Sequence, residues 1–300
     1  MNDTSPNAGP PAPIVDATAV SEIADGVFVI PDRRVPLVPN IGIVRGSDAV
    51  LVVDTGMGPA NGGKVLEAAR HIAGSRSLIV TLTHFHPEHG FGAPAFKGKA
   101  RITYNRAQRD ELAAKGGPYL AMFRTFGPAV AAALQGTELV MPDDVYDGDR
   151  ATIDLGGRTV HFWAVGLAHT RGDQVVWLPA ERILFTGDLA ETRMFPIFPW
   201  FPPNDADLDA PHWASVLGEL ESWRPAVVVP GHGEIADARL LAAVRGYMLD
   251  LGKRVAERRR AGDNADKIVA ALAPVIRAEH ADWSSPEWID FAIRYYASLG

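Results

Sequence analysis

The chain has 300 residues, 47% apolar and 22% charged, a globular composition with material for one large core or two modest ones. Lys and Arg number 29 against 36 Asp and Glu, a net charge of -7, so no broad basic surface exists to neutralise a phosphate backbone and nucleic acid is not an expected partner. There is no cysteine, which rules out disulfides, thiolate nucleophiles and sulfur-ligated metals; any metal must sit on nitrogen and oxygen.

Residues 1–14, rich in Asn, Asp, Ser, Gly and Pro, read as a disordered tail, and 15–300 as a single domain ending in helices over about 236–300. No basic, apolar leader precedes the domain, and no apolar run approaches the roughly 18 residues of a membrane span, so a cytoplasmic protein without a membrane partner is expected. Val- and Ile-rich runs at 26–30, 41–45 and 49–53, separated by Pro, Asn and Gly-Ser-Asp turn signals, predict three antiparallel strands. A helix over 64–73 follows, with Val65, Leu66, Ala69 and Ile72 on one face, then a strand over 77–81.

Residues 106–115 and 119–134 predict two helices flanking Gly116, Gly117 and Pro118. Strands are expected at 152–155, 159–165, 173–178, 182–185 and 226–229. Pro211 opens a helix with Trp213, Val216, Leu217 and Leu220 on one face, a long helix runs from 237 to about 260, and two more follow. The basic run Arg258, Arg259 and Arg260 complements the last turn of its helix and is assigned no function. Sheets covered by helices are implied.

The chemistry concentrates in T-H-F-H-P-E-H-G-F-G over 83–92, which puts His84, His86, Glu88 and His89 within six residues just beyond a strand. Alternation brings His84 and His86 to one side, and Pro87 suits a tight turn into a helix start. Three further candidates each follow an apolar strand: His169 in L-A-H-T-R-G-D, Asp188 in F-T-G-D and His232 in V-V-P-G-H-G-E. Singly each is an ordinary turn residue; their joint order makes the signal. His71, His161, His212 and His280 lie inside regular elements and are read as structural.

With these residues in this order, the chain resembles the metallo-β-lactamase superfamily, whose pattern H-x-H-x-D-H, later His, later Asp and final His it matches over about 26–234. The resemblance implies a four-layer αββα sandwich of α/β class with the site at one edge between its sheets. It implies that His84, His86 and His169 hold a first metal, that Glu88, His89, Asp188 and His232 hold a second, that Asp188 bridges both, and that Asp54 supports them. The departure is Glu88, where the family usually has Asp; its extra methylene is expected to weaken the second site.

Two ions about 3.5 to 4 Å apart can keep a hydroxide at neutral pH and polarise a carbonyl, with Glu88 or Asp188 orienting the water and taking its proton. Two zinc ions are the expected cofactors, with iron or manganese as alternatives. The expected function is a dinuclear metal-dependent hydrolase that uses this metal-bound hydroxide on a small acyl substrate such as a lactone, thioester or ester. β-Lactam hydrolysis and an iron-dependent oxidoreductase are the alternatives. Phe195, Phe198, Trp200 and Phe201 on a proline-stiffened loop are candidates for an apolar pocket wall, or for covering the core or a contact between protomers of a homo-oligomer. Tyr119, Met122, Phe123 and Phe126 are candidates for a facing lid helix or for simple core packing, and the small-molecule substrate is expected to carry an apolar part.

Overall fold

The computed structural model describes residues 11–299, so the expected tail lies for residues 1–10 outside them. Just after, Pro13 and Val15 are tied to one side chain: Asn61 Nδ2 donates to the Pro13 carbonyl at 2.6 Å, and Asn61 Oδ1 accepts from the Val15 amide at 2.9 Å.

The first sheet runs in sequence order through β1 (Ser21–Ala24), β2 (Val27–Ile30), β3 (Ile41–Arg45), β4 (Ala49–Val53), β5 (Ser77–Thr81), β6 (Arg101–Asn105) and β7 (Asp144–Tyr146). β1 to β4 pair antiparallel and β4 to β7 parallel. The parallel steps need crossovers, supplied by α1 (Gly58–Ala73), the single turn α2 (Pro87–Gly90), and α3 (Arg106–Phe123) with α4 (Pro128–Ala133). The second sheet takes β8 (Arg150–Asp154), β9 (Thr159–Ala164), β10 (Gln174–Leu178), β11 (Ile183–Gly187) and β12 (Val227–Pro230), antiparallel except for the last pair, which α5 (Ala210–Ser222) connects. Helices α6 (Arg239–Arg260), α7 (Ala265–Glu279) and α8 (Trp288–Ser298) close the chain.

Why β4 reads as an unbroken apolar run is visible in its neighbours. Val50 and Val52 pack under α1 with Val65, Leu66 and Ala69, whereas Ala49, Leu51 and Val53 face Phe162, Val176 and Phe185 of the other sheet. Both faces are covered, so neither tolerates a polar residue. The outer face of the second sheet packs against α5, α6, α7 and α8 around Trp213, Leu217, Val244 and Met248. Helices, sheet, sheet and helices thus form the four layers.

The structure adds three strands to those the sequence predicts. Neither β1 nor β7 has a fully buried residue, so neither carries an apolar signature, and β6 has only Ile102 and Tyr104 as inward apolar side chains. It also joins part of the two helices expected around Gly116, Gly117 and Pro118 into one, with a break only after Phe123. Gly117 has no Cβ to meet the Pro118 ring, which removes the clash that usually ends a helix before proline. Gly116 is pressed against Leu139, where a Cβ would come to 2.8 Å.

Candidate metal centre

β4 and β5 are parallel, and in the second sheet β9, β11 and β12 share one direction, so the C-terminal ends of each set open on one edge. Every predicted ligand lies in a loop at such an end. Past β5 the chain bends at Thr83 and His84; Phe85 is fully buried in the core, and His84 and His86 converge, with His84 Nε2 3.0 Å from His86 Nδ1. Pro87 opens α2 and puts Glu88 and His89 on its first turn.

These residues meet in two groups, His84, His86, His169 and Asp188, and Glu88, His89, Asp188 and His232, each with ligand atoms within 4.8 Å of one another and every member buried. Asp188 belongs to both. Glu88, the departure from the expected pattern, falls within the second group despite its added methylene.

Orientation comes from a second set of bonds. Asp54, held at φ +70° just past β4, accepts from the Thr83 amide at 2.7 Å and the Thr83 hydroxyl at 2.9 Å, and lies 2.9 Å from His89 Nδ1. That bond fixes the His89 tautomer and leaves Nε2 facing Asp188 Oδ1 at 3.2 Å. Likewise His232 Nδ1 lies 3.0 Å from the Val38 carbonyl, which can only accept, so Nε2 points inward, 3.6 Å from Asp188 Oδ1. His169 sits on a loop closed by Asp173, which accepts from the Thr170 amide and hydroxyl at 2.7 and 2.6 Å and stands 3.6 Å from His169 Nδ1. Gly231 is required by space alone: a Cβ there would lie 1.9 Å from Asp188 Oδ1.

The electrostatics of the first group suit a cation. Burial, with the imidazoles of His89 and His86, pushes His84 well below its ordinary pKa, and burial with His169 does the same to His86, so both keep free lone pairs at neutral pH. Burial opposes charge on Asp188, yet His89 and His232 hold its carboxyl well below the usual range. The same burial opposes charge on His89, which Asp188 and Asp54 nevertheless hold well above its ordinary value, while burial raises Glu88. His86 Nε2, Glu88 Oε2, His89 Nε2, His169 Nε2 and both Asp188 oxygens are buried without a hydrogen-bond partner. Each such atom costs about 1 to 3 kcal/mol unless something satisfies it. Lone pairs converging in two buried groups fit a pair of divalent ions on nitrogen and oxygen.

Beside the groups opens a cavity of about 360 Å³, lined by His86, Glu88 and His232. Its walls are mostly apolar, with Tyr119, Met122, Phe123 and Phe126 joined by Leu37, Ile197, Phe201 and Trp288, while Asp32, Arg34 and Glu287 also line it. Of the readings open for the proline-aromatic loop, core packing holds for three of its rings and the pocket wall for one. Phe195 and Phe198 are fully buried in the core against Tyr247 and Trp213, and Trp200 packs on Tyr295, so only Phe201 of the four lines the cavity. Four aromatics cannot all face one way along an irregular loop. Trp288 and Leu37 come from segments distant in sequence, and no local pattern marks them. The histidines read as structural take such places: His161 lies 3.0 Å from the Thr152 hydroxyl, and His212 Nε2 lies 2.8 Å from the Val165 carbonyl.

Two sheets packed face to face between helices, with His and Asp groups at one edge, define a metallo-hydrolase architecture, and the chain belongs to the metallo-beta-lactamase superfamily, whose model matches residues 34–232. Among its relatives is the acyl-coenzyme A thioesterase MBLAC2 of Bos taurus, 29% identical over 253 residues, 78% of this chain and 88% of that protein. The linear primary-alkylsulfatase of Pseudomonas sp. (strain ATCC 19151) is 25% identical over 223 residues; the match takes in 66% of this chain but only 42% of the sulfatase's length. The metallo-beta-lactamase from Pontibacter korlensis shares the fold with a TM-score of 0.60 at 19% identity, over 76% of this chain and 98% of that one. No helix among the described residues is long and apolar enough to cross a membrane.

Proposed function

We propose that this chain is a dinuclear metal-dependent hydrolase of carboxylic thioesters or esters with an apolar acyl chain. The observation that carries the reading is the 360 Å³ cavity, mostly apolar along its walls and lined by His86, Glu88 and His232. In this reading His84, His86, His169 and Asp188 hold one ion, and Glu88, His89, Asp188 and His232 hold the other. When bound, the ions, zinc by preference, supply Lewis acidity to the substrate carbonyl and make water acidic enough to react at neutral pH.

The chain's own groups do the rest. The walls from Tyr119 to Phe126 and from Ile197 to Phe201 take the acyl chain and exclude water, leaving the carbonyl beside His86, Glu88 and His232. Glu88 lines the cavity with its Oε2 unpartnered and takes the proton of the attacking water, while Asp188 holds the shared centre in register. The thioesterase relative, aligned over most of both chains, supports the acyl thioester among the possible esters. The apolar walls also accommodate an alkyl sulfate, the second reading, which the alkylsulfatase relative supports.

The test is a panel on the zinc-loaded protein: acyl-coenzyme A thioesters from acetyl to palmitoyl, a lactone, a β-lactam and dodecyl sulfate. Burial of each methylene is worth about 0.8 kcal/mol, so kcat/KM on the thioesters is expected to rise roughly fourfold per methylene until the cavity is filled. Cleavage of only the β-lactam or the sulfate, with no thioester turned over, contradicts the acyl reading.

A further inference from the structure

Helix α3 carries Glu111, Lys115 and Tyr119 at four-residue spacing, hence on one face, and each reaches a different part of the site. Glu111 is buried, and its Oε2 accepts from the Gly172 amide at 2.8 Å, in the loop that presents His169. That loop is pressed onto the helix: a Cβ on Gly172 would lie 2.4 Å from Gln108 Cα. Lys115 bridges Glu111 at 2.9 Å, Asp205 at 3.0 Å and Asp207 at 2.9 Å, the last two on the loop that carries Phe201. Tyr119 donates its hydroxyl to Asp205 Oδ2 at 2.8 Å. Its ring stacks on His86 with centroids 5.1 Å apart and planes inclined by 21°, and packs edge-on against Phe85.

We propose that Tyr119 is a positioning residue for the first metal ion, and that the Glu111–Lys115–Tyr119 stripe locks His86, the His169 loop and the Phe201 wall into one register. The proposal rests on the reading of His86 and His169 as ligands. An imidazole with one face against a clamped ring cannot rotate away from the ion, and the clamp is made by the groups that hold the cavity wall. Loss of the ring frees His86; loss of the hydroxyl alone frees the wall and leaves the stack in place. A stripe that only supported the fold would change melting temperature without changing how fast zinc leaves.

The test measures zinc release at 25 °C into a chromophoric chelator, with the visible spectrum of the cobalt(II)-loaded protein as a second readout. Outer groups that orient metal ligands are worth about 10- to 100-fold in affinity or activity. Tyr119→Leu is expected to release one of two ions at least about tenfold faster and to alter the cobalt bands. Tyr119→Phe is expected to restore retention near the parental rate while raising KM for palmitoyl-coenzyme A several-fold with kcat little changed. If Tyr119→Leu does not fold, Tyr119→Met fills the space without a ring and is read by the same release rate. Parental release and unchanged cobalt bands in a folded ring-less variant overturn the proposal. Unaltered protein that takes up no zinc overturns both this and the metal reading.

Discussion

The two sheets contribute to the site in different ways. The first supplies His84, His86, Glu88 and His89 from one six-residue stretch, braced by side chains: Asp54, Thr83 and, from α3, Tyr119. From the second come His169, Asp188 and His232 singly, one at the end of each of β9, β11 and β12; backbone braces two of them, the Val38 carbonyl behind His232 and the bare Gly231 beside Asp188, while the Asp173 side chain closes the His169 loop. A contiguous ligand cluster can be read and tuned locally. Scattered ligands depend on the whole sheet, and the carboxylate that joins the two groups belongs to the scattered set.

The largest expected effect breaks that junction. Asp188→Asn removes the anion common to both groups, so kcat/KM is expected to fall on the order of a thousandfold, as for loss of a principal electrostatic element, and metal content to fall at both positions. Steady-state kinetics with elemental analysis check it. A variant that loses one ion and keeps the other would show that the groups are independent.

Next come the two kinds of brace. Asp54→Ala should lower activity about 10- to 100-fold by freeing His89, and Gly231→Ala should do at least as much damage by forcing Asp188 aside. If Gly231→Ala were neutral, backbone bracing of the second sheet would be disproved. Glu88→Gln tests the contiguous stretch: keeping size and removing charge, it should deplete the ion at Glu88, His89 and His232 preferentially. A zinc titration with both positions filled as in the parent would remove Glu88 from the ligand set.

The cavity wall gives a smaller contrast. Phe201→Ala should raise KM for a long-chain thioester by several-fold, about 1 kcal/mol of lost apolar contact, while Trp200→Ala should leave KM unchanged and lower stability instead. Equal KM effects would place Trp200 in the wall.

The smallest effect is electrostatic. The Arg171 bond and Lys115 outweigh burial and hold Asp207 at about 2 against an ordinary 3.8, a depressed acid whose stabilisation is complete above about pH 4 and fades as pH falls through about 2. Asp207 is partly exposed, so Asp207→Asn should cost less than about 1 kcal/mol at pH 7. Urea titrations should show that difference vanish towards pH 2; a difference that grows on acidification would contradict the assignment.

How much was legible follows the same division. The apolar run at 49–53, the helical face of 211–220 and the histidine cluster are local patterns, and each appears in the structure near its predicted place. His169, Asp188 and His232 were legible only through their order behind apolar runs. The cavity was half legible: Tyr119, Met122 and Phe123 fall at helical spacing on α3 with Phe126 in the turn after it, whereas Trp288 and Leu37 arrive through long-range packing that no local pattern records. Proline-aromatic density told that 195–201 is packed but not which side each ring faces, and three of its four rings turned to the core.

The central claim is one carboxylate shared by two ions, each with its own histidines. Zinc stoichiometry by elemental analysis after equilibrium dialysis of the parent, His169→Ala, His232→Ala and Asp188→Asn tests it most directly. The account predicts two ions per chain in the parent, one in each histidine variant, and fewer than one in Asp188→Asn. Two ions retained in Asp188→Asn, or one or none in the parent, would contradict it.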